Sequence, residues 1–477
     1  MEPKAEFLRY ASPNEMRTVA REAVGYYHAI VIGAVYNFTD EVDVKSRQTY
    51  IYPLIRCIEE HPFFCVVVGD GDTDKAYYQR VSSIDVEQHM TIVEDPAIEA
   101  DPLDAIGRLM KQELDRPFVA GVPPWRIVVL PLSPSQCHVA FAFSHTIGDG
   151  IAGVIFHKTF LAGLKDHPTA TPSSIVIPPS KSLPEPFDTP ERLSISWSFL
   201  LAPFVANYIP YFLVKLFGMR VSASCVNEGT WTATPMFFDA ETHHTKLKIR
   251  HIPAAQVNKA IQLARTHDAR LTGVVHQLIA RALSKVIPDE KVTNFVGQTA
   301  INMRRSIGMS SDVATDAASG CYTIHHRSAA TGPLTEKEWA AAREATREFA
   351  LASAKLDDQP IGLLRYVPSI RKWTLGKMGK NRDSSYECSN VGAFDGNTGA
   401  RESVEVTKLT FAQPSHVGSC PICFNLSSVK GGDLVYTVTW QPGALGLGGD
   451  DDDDGEDKIV EEICSSIQQG FEELQTA

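Results

Sequence analysis

The sequence predicts a mixed α/β (α+β) protein built from two lobes. Its 477 residues are too many for one comfortable hydrophobic core. Apolar residues make up 44% of the chain and charged residues 21%, which are the proportions of an ordinary globular protein. In both halves, apolar runs of strand character alternate with segments whose apolar residues recur at helical spacing. We therefore expect an N-terminal lobe over residues 1–190 and a C-terminal lobe over residues 225–477.

The first lobe is predicted to mix strands with helices. Residues 28–38 form a β-rich apolar run, and residues 47–70 change from helical spacing to a strand. Residues 123–132 and 137–144 are predicted as neighbouring strands, because turn residues separate them. Residues 151–164 follow at helical spacing, so the short stretch before them is a strand-to-helix junction.

A connector is expected between the lobes. Residues 165–193 are rich in proline, serine and threonine, and residues 191–224 form an apolar connector segment. Within it, residues 195–214 carry no charge and approach the length of a membrane span. Two prolines would leave backbone groups unpaired in lipid, so we predict buried, broken helices. Peripheral contact with a membrane through residues 195–219 is the alternative.

The second lobe also combines both kinds of element. Its clearest helices are predicted at residues 254–267 and 271–287, and its strands within residues 291–305 and 421–443. The five aspartates at residues 450–454 are interpreted as a solvated loop before the last helix.

Charge and cysteine content exclude several classes of protein. A net charge of −12 argues against a nucleic-acid partner. The nine scattered cysteines suit free thiols in a reducing compartment, and the N-terminus lacks the apolar core of a secretory signal, so we expect a cytoplasmic protein. Cys420 and Cys423 are interpreted as two strand cysteines, because a zinc site would need a second pair or histidines at ligand spacing. We predict no metal.

Residues 141–150, FAFSHTIGDG, carry the candidate chemistry. His145 lies at the strand-to-helix junction and is followed by Asp149 and Gly150, and no other of the 15 histidines has an aspartate four positions later. Imidazole is the side chain best matched to moving a proton near neutral pH, so His145 is a candidate general base. The alternative is a partly buried histidine bonded to a turn carbonyl.

Several further segments support the first interpretation. They are RCIEEHPFF at 56–64, HTIGDG at 145–150, INMRR at 301–305 and SNVGAF at 389–394. These resemble, in order, the helix-to-strand turn, the HxxxDG motif, the second-lobe arginine strand and the Ser-Asn-x-Gly crossover region of the chloramphenicol-acetyltransferase-like superfamily. This superfamily includes BAHD and condensation-domain-like enzymes. Residues 19–38 and 411–443 are similar to the fungal alcohol O-acetyltransferase family. Ser144 stands where many relatives have a second histidine, and the Asp-Phe-Gly-Trp-Gly segment of the plant branch is missing.

The resemblance implies two pseudo-symmetric lobes, with mixed sheets flanked by helices and a tunnel between them. His145 would lie near the middle of the tunnel. An acyl thioester, usually acyl-CoA, would enter from one face and the acceptor from the other. Asp149 would turn away from the substrate and support the histidine turn by pairing with an arginine of the second lobe. By match to INMRR, that arginine is Arg304, with Arg305 as the alternative.

Other candidate site residues follow from the same resemblance. Gly150 lacks a side chain and would let a ligand approach the start of the helix closely. The oxyanion that develops on the thioester carbonyl needs a hydrogen-bond donor, and Asn390, Gln413 and Ser415 are unranked candidates. Surface or loop roles are predicted for His416, His325 and His326, and a core role for Trp125.

These observations predict an enzyme that transfers an acyl group, expected to be acetyl, from acyl-CoA to a hydroxyl of a small, mostly apolar metabolite. It is expected to be a monomer of fungal secondary metabolism. One alternative is a condensation-type enzyme that forms amides or esters from acyl groups bound to a carrier protein. The other is a binding protein without catalytic activity on the same fold.

Overall fold

The structure is a computed structural model that describes residues 5–39, 42–95, 97–98, 100–166, 172–201, 224–396, 403–447 and 455–474. Within these ranges, helices and strands alternate through both halves of the chain, so the predicted mixed α/β class is confirmed. The helices are α1 (Pro13–Val24), α2 (Gln48–Glu60), α3 (Pro102–Leu114), α4 (Gly150–Lys165), α5 (Ala254–Thr266), α6 (Leu271–Val286), α7 (Glu336–Ala354), α8 (Ile370–Leu375) and α9 (Gly455–Glu473). The strands are β1 (Glu6–Tyr10), β2 (Ala29–Phe38), β3 (Val66–Gly69), β4 (Tyr77–Arg80), β5 (Ile84–Asp85), β6 (Met90–Ile92), β7 (Trp125–Ser133), β8 (Gln136–Ser144), β9 (Ile175–Val176), β10 (Lys246–Ile252), β11 (Asn294–Asn302), β12 (Ala318–His326), β13 (Tyr386–Phe394), β14 (Val404–Ala412), β15 (Ile422–Val429) and β16 (Leu434–Trp440).

The sheet of the first lobe has five strands in the order β14-β2-β8-β7-β6. Strands β7 and β8 form an antiparallel hairpin with Trp125 opposite Phe143. On the other side of β8, β2 is antiparallel to it, and β14 is antiparallel to β2 with Val404 opposite Phe38. Strand β14 comes from residues 225–477, so the two halves of the chain share backbone hydrogen bonds. The boundaries drawn between the lobes stay a prediction.

Helices cover both faces of this sheet. Strands β2 and β8 are buried along almost their whole length, which is why they read as continuous apolar runs. On one face, Phe156 of α4 stacks on Phe141 of β8 with 3.8 Å between the ring centroids. Gly153 of α4 permits this approach, because a Cβ atom there would lie 2.9 Å from Cε1 of Phe143. Apolar residues of α3 pack on the opposite face.

The sheet of the second lobe has six strands in the order β10-β16-β15-β13-β11-β12. Strands β15, β13 and β11 run parallel, while the outer pairs are antiparallel. Helices α5, α6 and α9 contribute to the core on this sheet. The carboxyl-terminal part of β11 and the start of β12 face the first lobe, where they meet the turn before α4.

Helix α1 packs against residues from the second half of the chain, among them Leu364 and Ile370. Its N-terminus is fixed by a capping box, in which Ser12 accepts from the backbone N–H of Glu15 and the Glu15 side chain accepts from the backbone N–H of Ser12. Arg17 and Arg21 are one turn apart on this helix and therefore lie on the same face.

Two predicted segments fall largely outside the described residues. Residues 202–223 and 448–454 belong to this part, so neither the broken helices nor the acidic loop is tested. Across the described ranges, no helix combines the length and the apolar character needed to cross a membrane.

Candidate active site

The turn between β8 and α4 is held by hydrogen bonds from several directions. Asp149 caps α4, because its side chain accepts a backbone N–H of the first helical turn at 3.0 Å. Tyr78 donates its hydroxyl to the carbonyl of Thr146 at 2.6 Å, and the Ser144 hydroxyl contacts the Thr146 hydroxyl at 2.7 Å. Backbone and side-chain contacts thus fix the position of His145 from both ends of the turn.

His145 faces a cavity of about 280 Å³. Its side chain is 14% exposed, and its ring centroid is 5.8 Å from that of Tyr27. The cavity walls come from the His145 turn and α1 on one side and from β11, β12, β13 and the end of β14 on the other. Residues from both halves of the chain therefore surround the imidazole.

Asp149 and Arg304 form the ion pair that the resemblance implied. The two guanidinium nitrogens donate to the two carboxylate oxygens at 2.8 and 2.9 Å, and Arg304 rather than Arg305 occupies this position. Both side chains are buried, at 1% exposure for Arg304 and 5% for Asp149. The backbone N–H of Ala317 also donates to Asp149 at 3.0 Å. Burial alone would raise the pKa of Asp149, but Arg304 outweighs it and lowers that pKa. The pair ties the segment that follows β11 in the second lobe to the His145 turn.

His145 is held in its neutral form. Burial lowers its pKa most, and the positive charges of Arg21 and Arg17 lower it further, to about 3. Its Nδ1 atom has no hydrogen-bond partner among the described residues. At neutral pH the imidazole therefore has the protonation state that a general base requires.

Asp316 is a residue that the sequence did not single out. Its Oδ2 atom lies 3.7 Å from Nδ1 of His145 and accepts from Nδ2 of Asn14 at 3.0 Å. Burial, followed by the charge of Asp149, raises the pKa of Asp316 to about 7. A carboxyl that titrates at this pH and lies beside Nδ1 can stabilise positive charge on the ring. No sequence spacing could reveal it, because β8 and β12 bring the two residues together from distant parts of the chain.

His416 lies in the loop between β14 and β15, in agreement with a loop role, but it is not at the surface. Its side chain is buried in the cavity wall, where Nδ1 lies 3.0 Å from Oε2 of Glu387. Burial opposes the proton on His416, but Glu387 and then Cys420 outweigh it and raise the pKa of His416 to about 9. Gln413 links this pair to the aromatic wall, since its Nε2 donates to Glu387 at 2.8 Å and its Oε1 accepts from the Tyr27 hydroxyl at 2.9 Å. His416 and Glu387 therefore form a buried, neutralised ion pair.

The same histidine lies near the two cysteines of Cys420-Pro-Ile-Cys423. One ligand atom from each of His416, Cys420 and Cys423 lies within 4.8 Å of the others. However, the two ring nitrogens of His416 are engaged by Glu387 at 3.0 Å and by Gln413 at 3.2 Å, and the two thiols contact each other at 3.4 Å. These contacts satisfy the histidine without a metal, and we build no step of the chemistry on one.

The three predicted oxyanion donors lie in different places, and only Gln413 lines the cavity. Asn390 donates to the Thr272 hydroxyl at 3.1 Å and accepts from a backbone N–H of its own strand, away from the cavity. Ser415 is buried and contacts Thr245, also outside the cavity lining. Gln413 does line the cavity, but its amide is already committed to Glu387. The positions of Asn390 and Ser415 therefore do not match the role proposed for them from sequence.

Gly150 has a packing role as well as a place in the cavity wall. A Cβ atom there would lie 2.9 Å from Cγ1 of Val391, so the side-chain-free position lets β13 approach the start of α4.

Two further predictions concern residues outside the cavity. Trp125 is a core residue whose indole N–H donates to the Phe64 carbonyl at 2.8 Å. His326 is exposed as predicted, whereas His325 is buried at 1% exposure, so its predicted surface role is wrong.

Two lobes joined by shared strands, with a strand-to-helix histidine turn between them, define the class of fold. The structure of TRI3 trichothecene 15-O-acetyltransferase from Fusarium sporotrichioides matches with a TM-score of 0.63 and 10% identity, covering 98% of each chain. The condensation domain of the monacolin K polyketide synthase MokA matches with a TM-score of 0.59 and 11% identity, covering 99% of this chain and 98% of that chain. The fold is therefore that of the chloramphenicol-acetyltransferase-like acetyltransferases and condensation domains.

The sequence comparison is more specific than the fold. Residues 112–444 match the family model for alcohol acetyltransferases. The probable alcohol acetyltransferase FCK4 of Fusarium pseudograminearum is 22% identical over 418 residues, which are 82% of this chain and 81% of the relative. The chain belongs to the alcohol acetyltransferase family, as the resemblance indicated, and it is an acyltransferase.

Proposed function

We propose that the protein transfers an acyl group, expected to be acetyl, from acyl-CoA to a hydroxyl of a small molecule, with His145 as the general base. The observation that supports this most directly is a neutral imidazole in a cavity lined by both lobes. The ion pair between Asp149 and Arg304 supports the proposal by fixing the turn on which that imidazole stands. Membership of the alcohol acetyltransferase family makes a hydroxyl the favoured acceptor.

The reaction needs one proton acceptor that later becomes a proton donor. His145 takes the proton of the acceptor hydroxyl while its oxygen forms a bond to the thioester carbonyl carbon. The carbonyl electrons move onto oxygen and return as the bond from carbon to sulfur breaks. The imidazolium then gives its proton to the departing thiolate, so the products are an ester and free CoA. Holding both substrates in one cavity supplies the orientation, and no acyl-enzyme is required.

Asp316 has a supporting part in this mechanism. The imidazolium appears only during the reaction, and burial together with Arg21 and Arg17 disfavours it. An ionised Asp316 carboxylate, 3.7 Å from Nδ1 in the resting geometry, attracts the ring when it becomes positive. We treat Asp316 as a positioning and charge-balancing residue that acts through His145.

The remaining expectations belong to the same proposal. We propose a cytoplasmic monomer that uses acyl-CoA and requires no metal or nucleic acid. Peripheral membrane contact through residues 195–219 stays an alternative, because most of that segment lies outside the described residues. The fold shared with the MokA condensation domain favours a carrier-protein donor as the second candidate function.

The proposed base can be tested by release of free thiol from acetyl-CoA in the presence of a panel of alcohols. We expect His145→Ala to lower kcat by about 10²- to 10⁴-fold, because general base catalysis typically contributes that much. His326→Ala is the matched control, since this histidine is exposed at the end of β12. Full turnover by a folded His145→Ala variant would refute the assignment.

The two candidate donors can be separated in the same assay. Acetyl-CoA and an acetylated acyl-carrier protein, at equal concentration with one acceptor, should give faster ester formation from acetyl-CoA. Faster consumption of the carrier-bound acyl group would support the condensation-type function instead. Binding of acceptors without thiol release from either donor would support the third candidate, a binding protein on this fold.

A further inference from the structure

Two arginines of α1 point into the cavity that holds His145. Arg17 and Arg21 are four residues apart on that helix and both line the cavity wall. The guanidinium carbon of Arg21 lies 4.4 Å from the centroid of the Tyr27 ring, and the same ring neighbours His145 at 5.8 Å between centroids. Both arginines precede residues 112–444, the segment that matches the family model. They therefore lie outside the motif that defines the proposed base.

Two nitrogen atoms of Arg21 lack hydrogen-bond partners among the described residues. Its Nε and Nη2 atoms are buried and make no hydrogen bond to any described residue. The adjacent carboxyl of Glu22 does not serve it, because Glu22 contacts the Ser144 hydroxyl instead. Burial raises the pKa of Glu22 to about 7, so this side chain is a weak source of negative charge. A buried guanidinium with unused donors is costly unless an anion reaches it.

The other charged groups of the cavity wall already have counter-charges. Asp149 pairs with Arg304 at 2.8 Å and Glu387 with His416 at 3.0 Å. Lys377 lies 3.8 Å from the carboxylate of Asp383. Arg17 and Arg21 are the charged residues of the described cavity wall that these pairs do not include.

Arg17 and Arg21 together face a single carboxyl that is not already paired. Asp316 raises the pKa of Arg17, against the larger effects of burial and Arg21, which lower it to about 10. Asp316 therefore offsets Arg17 when it is ionised. Arg21 also acts on Glu387, because burial raises the pKa of that carboxyl while His416 and, after it, Arg21 lower it. Glu387 is already paired with His416, so an excess of positive charge remains at Arg21. The imbalance matters for the reaction, because the uncompensated cation opposes formation of the imidazolium on His145.

We propose that the acceptor is a hydroxy acid, whose carboxylate binds Arg21 beside Arg17 while its hydroxyl is presented to His145. This inference rests on the proposed function and specifies its acceptor. A guanidinium offers two parallel N–H donors that match a carboxylate, and Arg21 has the Nε and Nη2 pair of donors free for this contact. One monoanion is also the charge needed to balance the cavity. Substrate binding would thereby remove a charge that disfavours the imidazolium. The charged wall favours this acceptor over the mostly apolar one expected from sequence.

The test compares hydroxy acids with their own methyl esters, so that each pair differs only in the charge. For wild type we expect kcat/KM to be at least about tenfold higher for the acid, because a charge-assisted bidentate contact is lost in the ester. Arg21→Gln should lower this ratio of acid to ester by about tenfold or more, and Arg21→Lys should restore part of it. Arg347→Gln, at a side chain that is 69% exposed on α7, is the matched control and should leave the ratio unchanged.

A binding measurement keeps the result independent of turnover. The hydroxy acid should raise the Tm of wild type more than its methyl ester does, and Arg21→Gln should lose that difference. Sodium chloride at equal concentration controls for ionic strength. Equal kcat/KM and equal Tm shifts for acid and ester would overturn the inference while leaving acyl transfer intact. Failure of every alcohol and acid to release thiol would overturn the proposed function instead.

Discussion

The ion pair of Asp149 and Arg304 fixes the position of the turn that holds His145. Four short contacts hold this pair: Arg304 donates two hydrogen bonds to Asp149, and two backbone N–H groups donate to the same carboxylate. They join α4, the segment after β11 and the segment before β12 at one point. Because both side chains are buried, neither charge has water to replace a lost partner. The pair is therefore a structural requirement for the position of the base.

We predict that Asp149→Ala and Arg304→Met each lower the free energy of unfolding by about 3–5 kcal/mol, since each leaves one buried charge unpaired. The double variant should lose less than the sum, because it leaves neither charge behind. Denaturant unfolding of the four proteins measures this coupling. Removing the exposed pair of Arg347 and Glu344 is the control and should cost no more than about 1 kcal/mol. Additive losses at Asp149 and Arg304 would contradict the assigned contact.

The pH dependence of the reaction should report Asp316 rather than His145. The pKa of His145 is lowered to about 3, so the base stays neutral as the pH falls from 8 to 5. Asp316 has its pKa raised to about 7 and loses its negative charge over that range. We expect kcat/KM of wild type to fall below about pH 7 and Asp316→Asn to have a lower but flat profile. Asp312→Asn, at an exposed side chain, is the control.

An acid limb near pH 6.5 that persists in Asp316→Asn would contradict this prediction. It would mean that the imidazole itself titrates with an ordinary pKa. Arg21→Gln provides a second check, because it removes one of the charges that lower the pKa of His145. In the Asp316→Asn background the acid limb of His145 lies below the flat range of pH 8 to 5, and adding Arg21→Gln should therefore move that limb to higher pH.

At the scale of the element, the contact between α4 and β8 determines where the turn points. Gly153 lies where the helix crosses the sheet, and an added Cβ would meet the side chains of Ile32 and Phe143. We predict that Gly153→Ala lowers stability by about 1–3 kcal/mol, although alanine favours a helix more than glycine does. Gly320→Ala is the matched control, since the nearest atom to its Cβ would be 3.9 Å away. Thermal unfolding of both variants checks the prediction, and equal Tm values would contradict it.

The elements that the sequence predicted are those with strong local patterns. The hairpin of β7 and β8 and the helix α4 follow from apolar runs, turn residues and helical spacing within a few residues of each other. His416 and Asp316 could not be found in this way, because Glu387 and His145, their charge partners, lie on other strands. Burial of His416 depends on Glu387 of β13 and on Tyr27, which come from distant parts of the chain and leave no pattern in local spacing.

At the scale of the whole molecule, β14 joins the two sheets. It pairs with β2 of the first lobe along its length. Two side chains of the second sheet also donate to its carbonyls, Ser427 to Leu409 at 2.9 Å and Thr437 to Phe411 at 2.7 Å. Local patterns did not predict this crossing, because pairing between residues about 370 positions apart leaves no periodic pattern. Only the resemblance of residues 389–394 to a crossover region, ahead of β14, indicated it. The strand makes the position of the cavity depend on both lobes at once.

We therefore predict that the described fold unfolds in one cooperative transition, in which helix loss and tryptophan exposure coincide. Val406→Ala tests the cause, because this buried residue of β14 belongs to the core of the first lobe although it lies in the second half of the chain. We expect it to increase amide hydrogen exchange in β2 and β8 as well as in β15. Thr91→Ala, at an exposed position of the edge strand β6, is the control. Two separate unfolding transitions, with Val406→Ala moving only one of them, would show that the lobes are independent and that β14 does not couple them.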